Sequence, residues 1–135
     1  MKFNQIYKSD FQEIGYNESY QIIKSTWNTP INLSEKIYRQ ELNQYFDILK
    51  QTTPKNVLVD AVKAYYQILP ETQEWMQKRS FEIHKEVNLK KMAWLVSSDL
   101  FSQMTFDQAI ENLNEVVEFQ LKYFDDLDDA QNWLK

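Results

Sequence analysis

The side chains of this sequence that are best suited to catalysis are those of Ser97, Ser98 and His84. They supply two residue types of a nucleophilic triad, in which histidine removes the serine proton and an acidic residue orients the imidazole ring. His84 is the only histidine, however, and Ser97 and Ser98 have no neighbouring glycines to form a nucleophile elbow. We therefore predict no catalytic residues and expect a protein that is not an enzyme.

Four aspartates near the end of the chain form a second pattern that could support chemistry. Asp125, Asp126, Asp128 and Asp129 suggest calcium, but the glycine and the distal glutamate of a calcium-binding loop are missing. Carboxylates are also favoured in the first turn of a helix, where they cap free N–H groups and complement the helix dipole. We therefore predict a helix cap at this position, and neither a metal nor another cofactor.

Composition argues against several classes of function. Gly15 is the only glycine, whereas the phosphate-binding loops of nucleotide enzymes need several glycines close together. The net charge of −5 is unfavourable for nucleic acid, which binds to basic surfaces. The sequence has no run of about 18 apolar residues and no signal-peptide core at its N-terminus, so we expect a cytoplasmic protein without a membrane span.

Two short apolar runs predict the central strands that position these polar groups. Residues 92–96 are apolar without interruption, and residues 56–60 form a second, β-branched run. Such runs are typical of strands that are buried on both faces of a sheet. Strands are predicted at residues 3–7, 11–16, 20–27, 56–60, 91–97 and 118–124, and helices at 35–51 after a Ser34 cap, 70–87, 106–117 and from Asp125 or Asp126 onwards.

The order of these elements predicts an α/β fold with a mixed sheet. Strand–helix–strand units place consecutive strands parallel to each other. Short polar connections between the first three strands indicate an antiparallel ribbon instead. We expect antiparallel N-terminal strands joined to a parallel half and flanked by about four helices, in a single domain that spans residues 1–135.

Three segments of the chain resemble the small bacterial STAS/SpoIIAA-like proteins. They are NVLVD at residues 56–60, AWLVSSDLF at 93–101 and YFDDLDDAQNWL at 123–134. The resemblance implies a mixed sheet flanked by helices. It also implies a regulatory role, because the better understood members of the family are protein-interaction switches that include anti-sigma-factor antagonists.

The chain departs from this family at the position of the switch. In those regulators an Asp-Ser pair follows the strand equivalent to residues 56–60, and phosphorylation of the serine breaks the contact with the partner. In this sequence Asp60 is followed by Ala61 and Val62, and the next serine or threonine is Thr72. The phosphoserine switch is therefore not carried over to this protein.

The predicted binding site lies at the carboxyl ends of the parallel strands, where open α/β sheets bind their ligands. One such end holds Asp60 and the predicted loop 61–69, which is rich in aromatic and aliphatic residues. Such a loop forms a partner surface, lines a small hydrophobic pocket, or simply covers the sheet. The predicted binding residues are Asp60, Val62, Tyr65, Tyr66, Ser97, Ser98, Asp99, Leu100 and Phe101.

Two functional hypotheses follow from this predicted site. The first is a regulatory domain that acts by binding another protein through these residues. The second is a carrier or sensor of a small apolar molecule, such as a fatty acid or another lipid, held beneath loop 61–69. The oligomeric state is left open by the sequence.

Overall fold

The computed structural model of this protein describes residues 1–103 and 119–135. Within this part of the chain, six strands form one sheet in the order β1-β2-β3-β4-β5-β6. They are β1 (Asn4–Lys8), β2 (Gln12–Asn17), β3 (Ile22–Thr29), β4 (Asn56–Ala64), β5 (Lys91–Leu95) and β6 (Gln120–Phe124). Pairing is antiparallel from β1 to β3 and parallel from β3 to β6, which confirms the predicted mixed sheet.

The described part of the chain also contains four helices. They are α1 (Glu35–Thr52), α2 (Pro70–Glu86), α3 (Ser98–Gln103) and α4 (Leu127–Leu134). The predicted caps are confirmed: Ser34 accepts a hydrogen bond from the N–H of Ile37 at 3.2 Å, and Asp126 accepts one from Asp129. None of these four helices has the length and hydropathy needed to cross a membrane. The helix predicted at 106–117 lies outside the described residues.

The two faces of the sheet carry separate apolar clusters because side chains alternate along each strand. In β4, Val57 and Val59 belong to the cluster that includes residues of α1 and α2, whereas Leu58 belongs to the cluster on the opposite face. The second cluster also includes Ala130 and Leu134 of α4. Both faces of the central strands are therefore covered, which explains their uninterrupted apolar sequence.

The prediction of a loop at 61–69 is wrong for residues 61–64, because β4 is longer than predicted. The strand continues to Ala64 while it remains paired with β3, and Thr29 lies opposite Ala64. The N–H of Tyr65 then donates to the carbonyl of Thr29 at 2.9 Å. The connection to α2 is thereby reduced to residues 65–69.

The chain leaves β5 earlier than predicted. The strand ends at Leu95, and the following helix α3 begins at Ser98. The sequence predicts that Asp99 caps a helical turn after this strand. This prediction is wrong: Ser97 accepts the hydrogen bond from the N–H of Leu100 at 3.2 Å, while Asp99 lies in the first turn. The polar residues after β5 therefore belong to a helix start.

Candidate functional site

A cavity of about 430 Å³ lies between the sheet and the helices α1 and α2. Its lining is mostly apolar, and the described residues that line it include no Asp, Glu, Lys or Arg. Seven of these lining residues are aromatic: Trp27, Tyr38, Tyr45, Phe46, Tyr66, Trp94 and Tyr123. An apolar cavity of this size that also contains a few polar groups has the usual form of a small-molecule site.

The cavity arises from the periodicity of the elements around it. Tyr38, Leu42 and Tyr45 recur every three or four residues and so share one face of α1. Val59 and Ala61 are two residues apart in β4 and so share the face of the sheet opposite that helix. Ala61 contributes only a methyl group among much larger side chains, which leaves space beside it.

Tyr38 and Tyr66 form an aromatic wall of the cavity. Their ring centroids are 4.7 Å apart with planes inclined by 40°, and the ring of Trp27 lies 5.8 Å from that of Tyr38. The Tyr38 hydroxyl donates to the sulfur of Met76 at 3.5 Å, which is a weak acceptor. Burial raises the pKa of Tyr38 above its usual value, so this hydroxyl stays uncharged.

A line of three polar side chains interrupts the apolar lining, and we call it the Ser80–His84–Tyr45 chain. His84 is only 2% exposed. Its Nε2 lies 2.9 Å from Tyr45 Oη, its Nδ1 lies 3.0 Å from Ser80 Oγ, and the ring of Phe119 packs edge-on at 5.3 Å. Burial lowers the pKa of His84 to about 4 and raises the pKa of Tyr45, so both side chains are uncharged near neutral pH.

The structure separates the predicted binding residues at β4 into different surroundings. Tyr66 lines the apolar cavity, as does Leu100 from α3. Asp60 and Val62 line a separate polar depression of about 450 Å³, where the Asp60 carboxylate accepts a hydrogen bond from the N–H of Val62 at 3.2 Å. Tyr65 projects into solvent with 61% of its surface exposed.

The other predicted binding residues lie around the start of α3. Ser97 is half-buried and engaged as the helix cap, Ser98 and Asp99 are exposed, and Phe101 is half-buried. These four side chains are not part of the cavity lining that the described residues form. The structure therefore brings only Tyr66 and Leu100 of the predicted set into the cavity.

Three exposed apolar side chains follow the carboxyl ends of β4 and β5, and we call Tyr65, Leu69 and Leu100 the apolar rim. Leu69 is 51% exposed and Leu100 is 49% exposed. Tyr65 directly follows β4, Leu69 precedes α2, and Leu100 lies in the first turn of α3, so all three lie beyond the carboxyl ends of β4 and β5. A patch formed by such groups would be typical of an interaction site.

Sequence reasoning missed Ser80 and Tyr45 as site residues and considered His84 only for catalysis. The available signal was spacing, because Met76, Ser80 and His84 recur at every fourth position along α2. That spacing does not reveal the neighbouring element. Tyr45 and His84 are 39 positions apart in sequence, and they meet only because α1 and α2 pack on the same face of the sheet.

Comparison with solved structures identifies the fold. An uncharacterized protein of the DUF3478 family with a SpoIIAA-like fold, from Shewanella loihica PV-4, matches with a TM-score of 0.59 and 16% identity, covering 99% of this chain and 93% of that chain. The apo form of SiaC from Pseudomonas aeruginosa matches with a TM-score of 0.49 and 10% identity, covering 91% of this chain and 98% of that chain. No protein-family model and no curated protein sequence matches. The protein thus has the SpoIIAA-like fold that the sequence resemblance predicts.

Proposed function

We propose that this protein is a non-enzymatic binding domain that holds one small apolar molecule in its cavity, as a carrier or a sensor. The observation that supports this function is the cavity of about 430 Å³, whose described lining is mostly apolar and carries no Asp, Glu, Lys or Arg. Small-molecule sites commonly enclose ~300–1,000 Å³ and bury most of the ligand surface. Of the two hypotheses drawn from the sequence, the geometry therefore favours the second.

Packing energetics also favours an occupied cavity. Side chains such as Tyr38, Phe46 and Trp94 line this space. A ligand would supply atoms in van der Waals contact with them. It would also gain about 25 cal/mol for each Å² of its own apolar surface removed from water.

The first test is native mass spectrometry of the protein purified from its own host. We expect a retained small molecule that is released by organic solvent and is absent after unfolding and refolding. A protein that carries no small molecule from its host, and whose thermal unfolding no apolar compound shifts, would contradict the proposal.

A variant that fills the cavity tests the location of the site. Ala61→Phe should weaken binding of the neutral fluorescent probe 1-aminoanthracene by about tenfold or more, equivalent to 1.4 kcal/mol, because the new ring occupies the ligand space. The matched control is Val62→Phe, since Val62 is the next residue of β4 and packs against the opposite face of the sheet. Equal binding by both variants would place the probe elsewhere.

The same titration also tests whether the chain covers its own cavity. If another part of the chain filled this space, the wild-type protein would bind no probe. Ala61→Phe would then lower the free energy of unfolding without any change in binding. That pair of results would count against the ligand-binding function.

A protein partner is the second candidate function, and the apolar rim is the observation that favours it. Leu100 also lines the cavity, so a partner that docks on the rim would contact one of the lining residues. The partner would first be captured by crosslinking in the host. Tyr65→Asp should abolish this capture, while its affinity for 1-aminoanthracene should equal that of the wild type. Retention of the partner by Tyr65→Asp would exclude the rim as its binding surface.

A further inference from the structure

The direction of each hydrogen bond in the Ser80–His84–Tyr45 chain follows from the numbers of donors and acceptors. A neutral imidazole has one N–H donor and one acceptor nitrogen. If Nε2 carried the hydrogen, it would donate to Tyr45 Oη, and the Tyr45 hydroxyl would need another acceptor. Among the described residues, His84 is the hydrogen-bond partner of Tyr45 Oη, and Tyr45 is buried. A buried hydroxyl without an acceptor costs about 1–3 kcal/mol.

The hydrogen of His84 is therefore assigned to Nδ1. Tyr45 O–H donates to Nε2 at 2.9 Å, and Nδ1–H donates to Ser80 Oγ at 3.0 Å. In this arrangement His84 cannot remove the proton of Ser80, because the nitrogen that faces the serine already carries a hydrogen. The chain is consequently suited to binding rather than to activating a nucleophile.

The Ser80 hydroxyl hydrogen is left available to the cavity. Ser80 is half-buried and lines the cavity. In the described part of the chain its hydroxyl is bonded to His84, and in that hydrogen bond the Ser80 oxygen is the acceptor. The cavity thus contains a donor that is held in place by a buried residue and faces an apolar space. A ligand oxygen beside Ser80 would satisfy it.

Charged ligands do not match this lining. The described lining residues carry no cationic or carboxylate side chain, and the only titratable base, His84, is uncharged near neutral pH. An ionised carboxylate buried without a partner is strongly disfavoured relative to water. The fatty-acid carboxylate that the sequence analysis offers as an example of a ligand is therefore a poor match.

We propose that the cavity takes an uncharged apolar molecule with a hydrogen-bond acceptor, such as a ketone or ester carbonyl, and that Ser80 donates to that oxygen. This inference rests on the proposed function and makes its ligand class specific. It assigns Ser80 as a binding residue, and it assigns His84 and Tyr45 as residues that position the Ser80 hydroxyl.

Three ligands of nearly equal shape test this assignment by calorimetry: 2-acetylnaphthalene, 2-isopropenylnaphthalene and 2-naphthoate. The first has a carbonyl, the second replaces its oxygen by CH2, and the third is an anion. We expect the ketone to bind about tenfold more tightly than the hydrocarbon, which is the upper range for one hydrogen bond. The carboxylate should bind more weakly than either.

Variants of Ser80 and Tyr38 assign the preference to one hydroxyl. Ser80→Ala should bind the ketone and the hydrocarbon equally, with hydrocarbon affinity as in wild type, and Ser80→Thr should restore the preference. Tyr38→Phe, which removes another cavity hydroxyl, should keep the preference. If the wild type prefers neither ligand, or if Ser80→Ala retains the preference, the assignment of Ser80 is overturned while the binding function stands. If neither neutral ligand binds, the proposed function itself fails.

The tautomer can be observed directly because His84 is the only histidine. Protein labelled with ¹⁵N-histidine should give one imidazole signal, and its two nitrogen shifts at neutral pH should be those of the Nδ1–H form. Binding of 2-acetylnaphthalene should shift the Nδ1 resonance, since Ser80 links the ligand to that nitrogen. The Nε2–H form at neutral pH would overturn the assignment.

Discussion

The buried imidazole of His84 is tolerated because both of its nitrogens have partners. A buried polar group without a hydrogen bond is destabilising, and the hydroxyls of Tyr45 and Ser80 meet this requirement without adding charge. Protonation of His84 is unfavourable, because it would place a cation among apolar side chains, with no carboxylate in the described lining. The folded protein therefore resists protonation of His84 until the medium is well below neutral pH.

We expect the free energy of unfolding to decrease as the pH falls from about 6.5 to about 4. The pKa of His84 is about 4 in the folded protein against its usual 6.5, so in this range the unfolded chain binds a proton that the folded chain does not. Above about pH 6.5 His84 does not lower the free energy of unfolding. Near pH 4 it lowers the free energy of unfolding by on the order of 3 kcal/mol.

Urea unfolding near pH 7 and near pH 4.5 measures this dependence. The matched control is His84→Gln, which does not titrate in this range and still carries both a hydrogen-bond donor and an acceptor. Its free energy of unfolding should depend less on pH than that of the wild type. The same pH dependence in both proteins would show that other groups cause it.

The end of α4 illustrates how a helix is attached to the sheet. The last carbonyl groups of a helix have no partner within it and must be satisfied from outside. Asn56 of β4 donates from Nδ2 to the carbonyl of Leu134 at 2.6 Å, and Lys91 of β5 donates from Nζ to that of Trp133 at 2.9 Å. Lys91 also lies 5.1 Å from the Trp133 ring centroid, and a cation at a helix C-terminus complements its dipole.

Substitution of Asn56 should destabilise the protein in a characteristic order. Asn56 is 3% exposed, so Asn56→Ala leaves the Leu134 carbonyl without its partner and should cost about 1–3 kcal/mol. Asn56→Asp should cost more, because it places a second oxygen against that carbonyl and buries a carboxyl group. Equilibrium urea unfolding of the two variants at neutral pH measures both values. A variant Asn56→Asp that is as stable as the wild type would show that α4 is held by other contacts.

At the scale of the whole molecule, one sheet links both apolar clusters. Neighbouring residues of β4 and β5 belong to opposite clusters, as Leu58 and Val59 do. Unfolding of these strands would therefore disrupt both clusters at once. The helices α1 and α2 cover one face and α4 covers the other. We propose on this basis that residues 1–135 fold as a single domain.

Two core variants test this cooperativity from opposite faces of the sheet. Leu49→Ala in α1 and Leu134→Ala in α4 each remove a fully buried side chain and should each cost about 2–5 kcal/mol. For both variants, we expect far-UV circular dichroism and tryptophan fluorescence to report the same single unfolding transition. A separate early transition in Leu134→Ala would show that α4 unfolds independently of the rest.

The sequence by itself determined the elements whose signals are local. Ser34, Pro70 and Asp126 lie at the starts of three helices because caps and proline act within one helical turn. The apolar runs at 57–59 and 92–96 mark the strands that are buried on both faces, because a strand needs apolar residues at consecutive positions only when both of its faces are covered. These local signals, taken in order, were sufficient for the mixed sheet, whereas the SpoIIAA-like fold was implied by the resemblance of three segments to that family.

Only the tertiary structure decided where β4 ends and where the cavity lies. β4 reaches Ala64 because β3 extends beside it, and no feature within residues 61–64 specifies that pairing. The cavity depends on the small side chain of Ala61 facing large residues from two helices, and the Ser80–His84–Tyr45 chain joins positions that are 39 residues apart. Local patterns determine which face a side chain occupies, whereas the space between elements depends on how distant segments pack against each other.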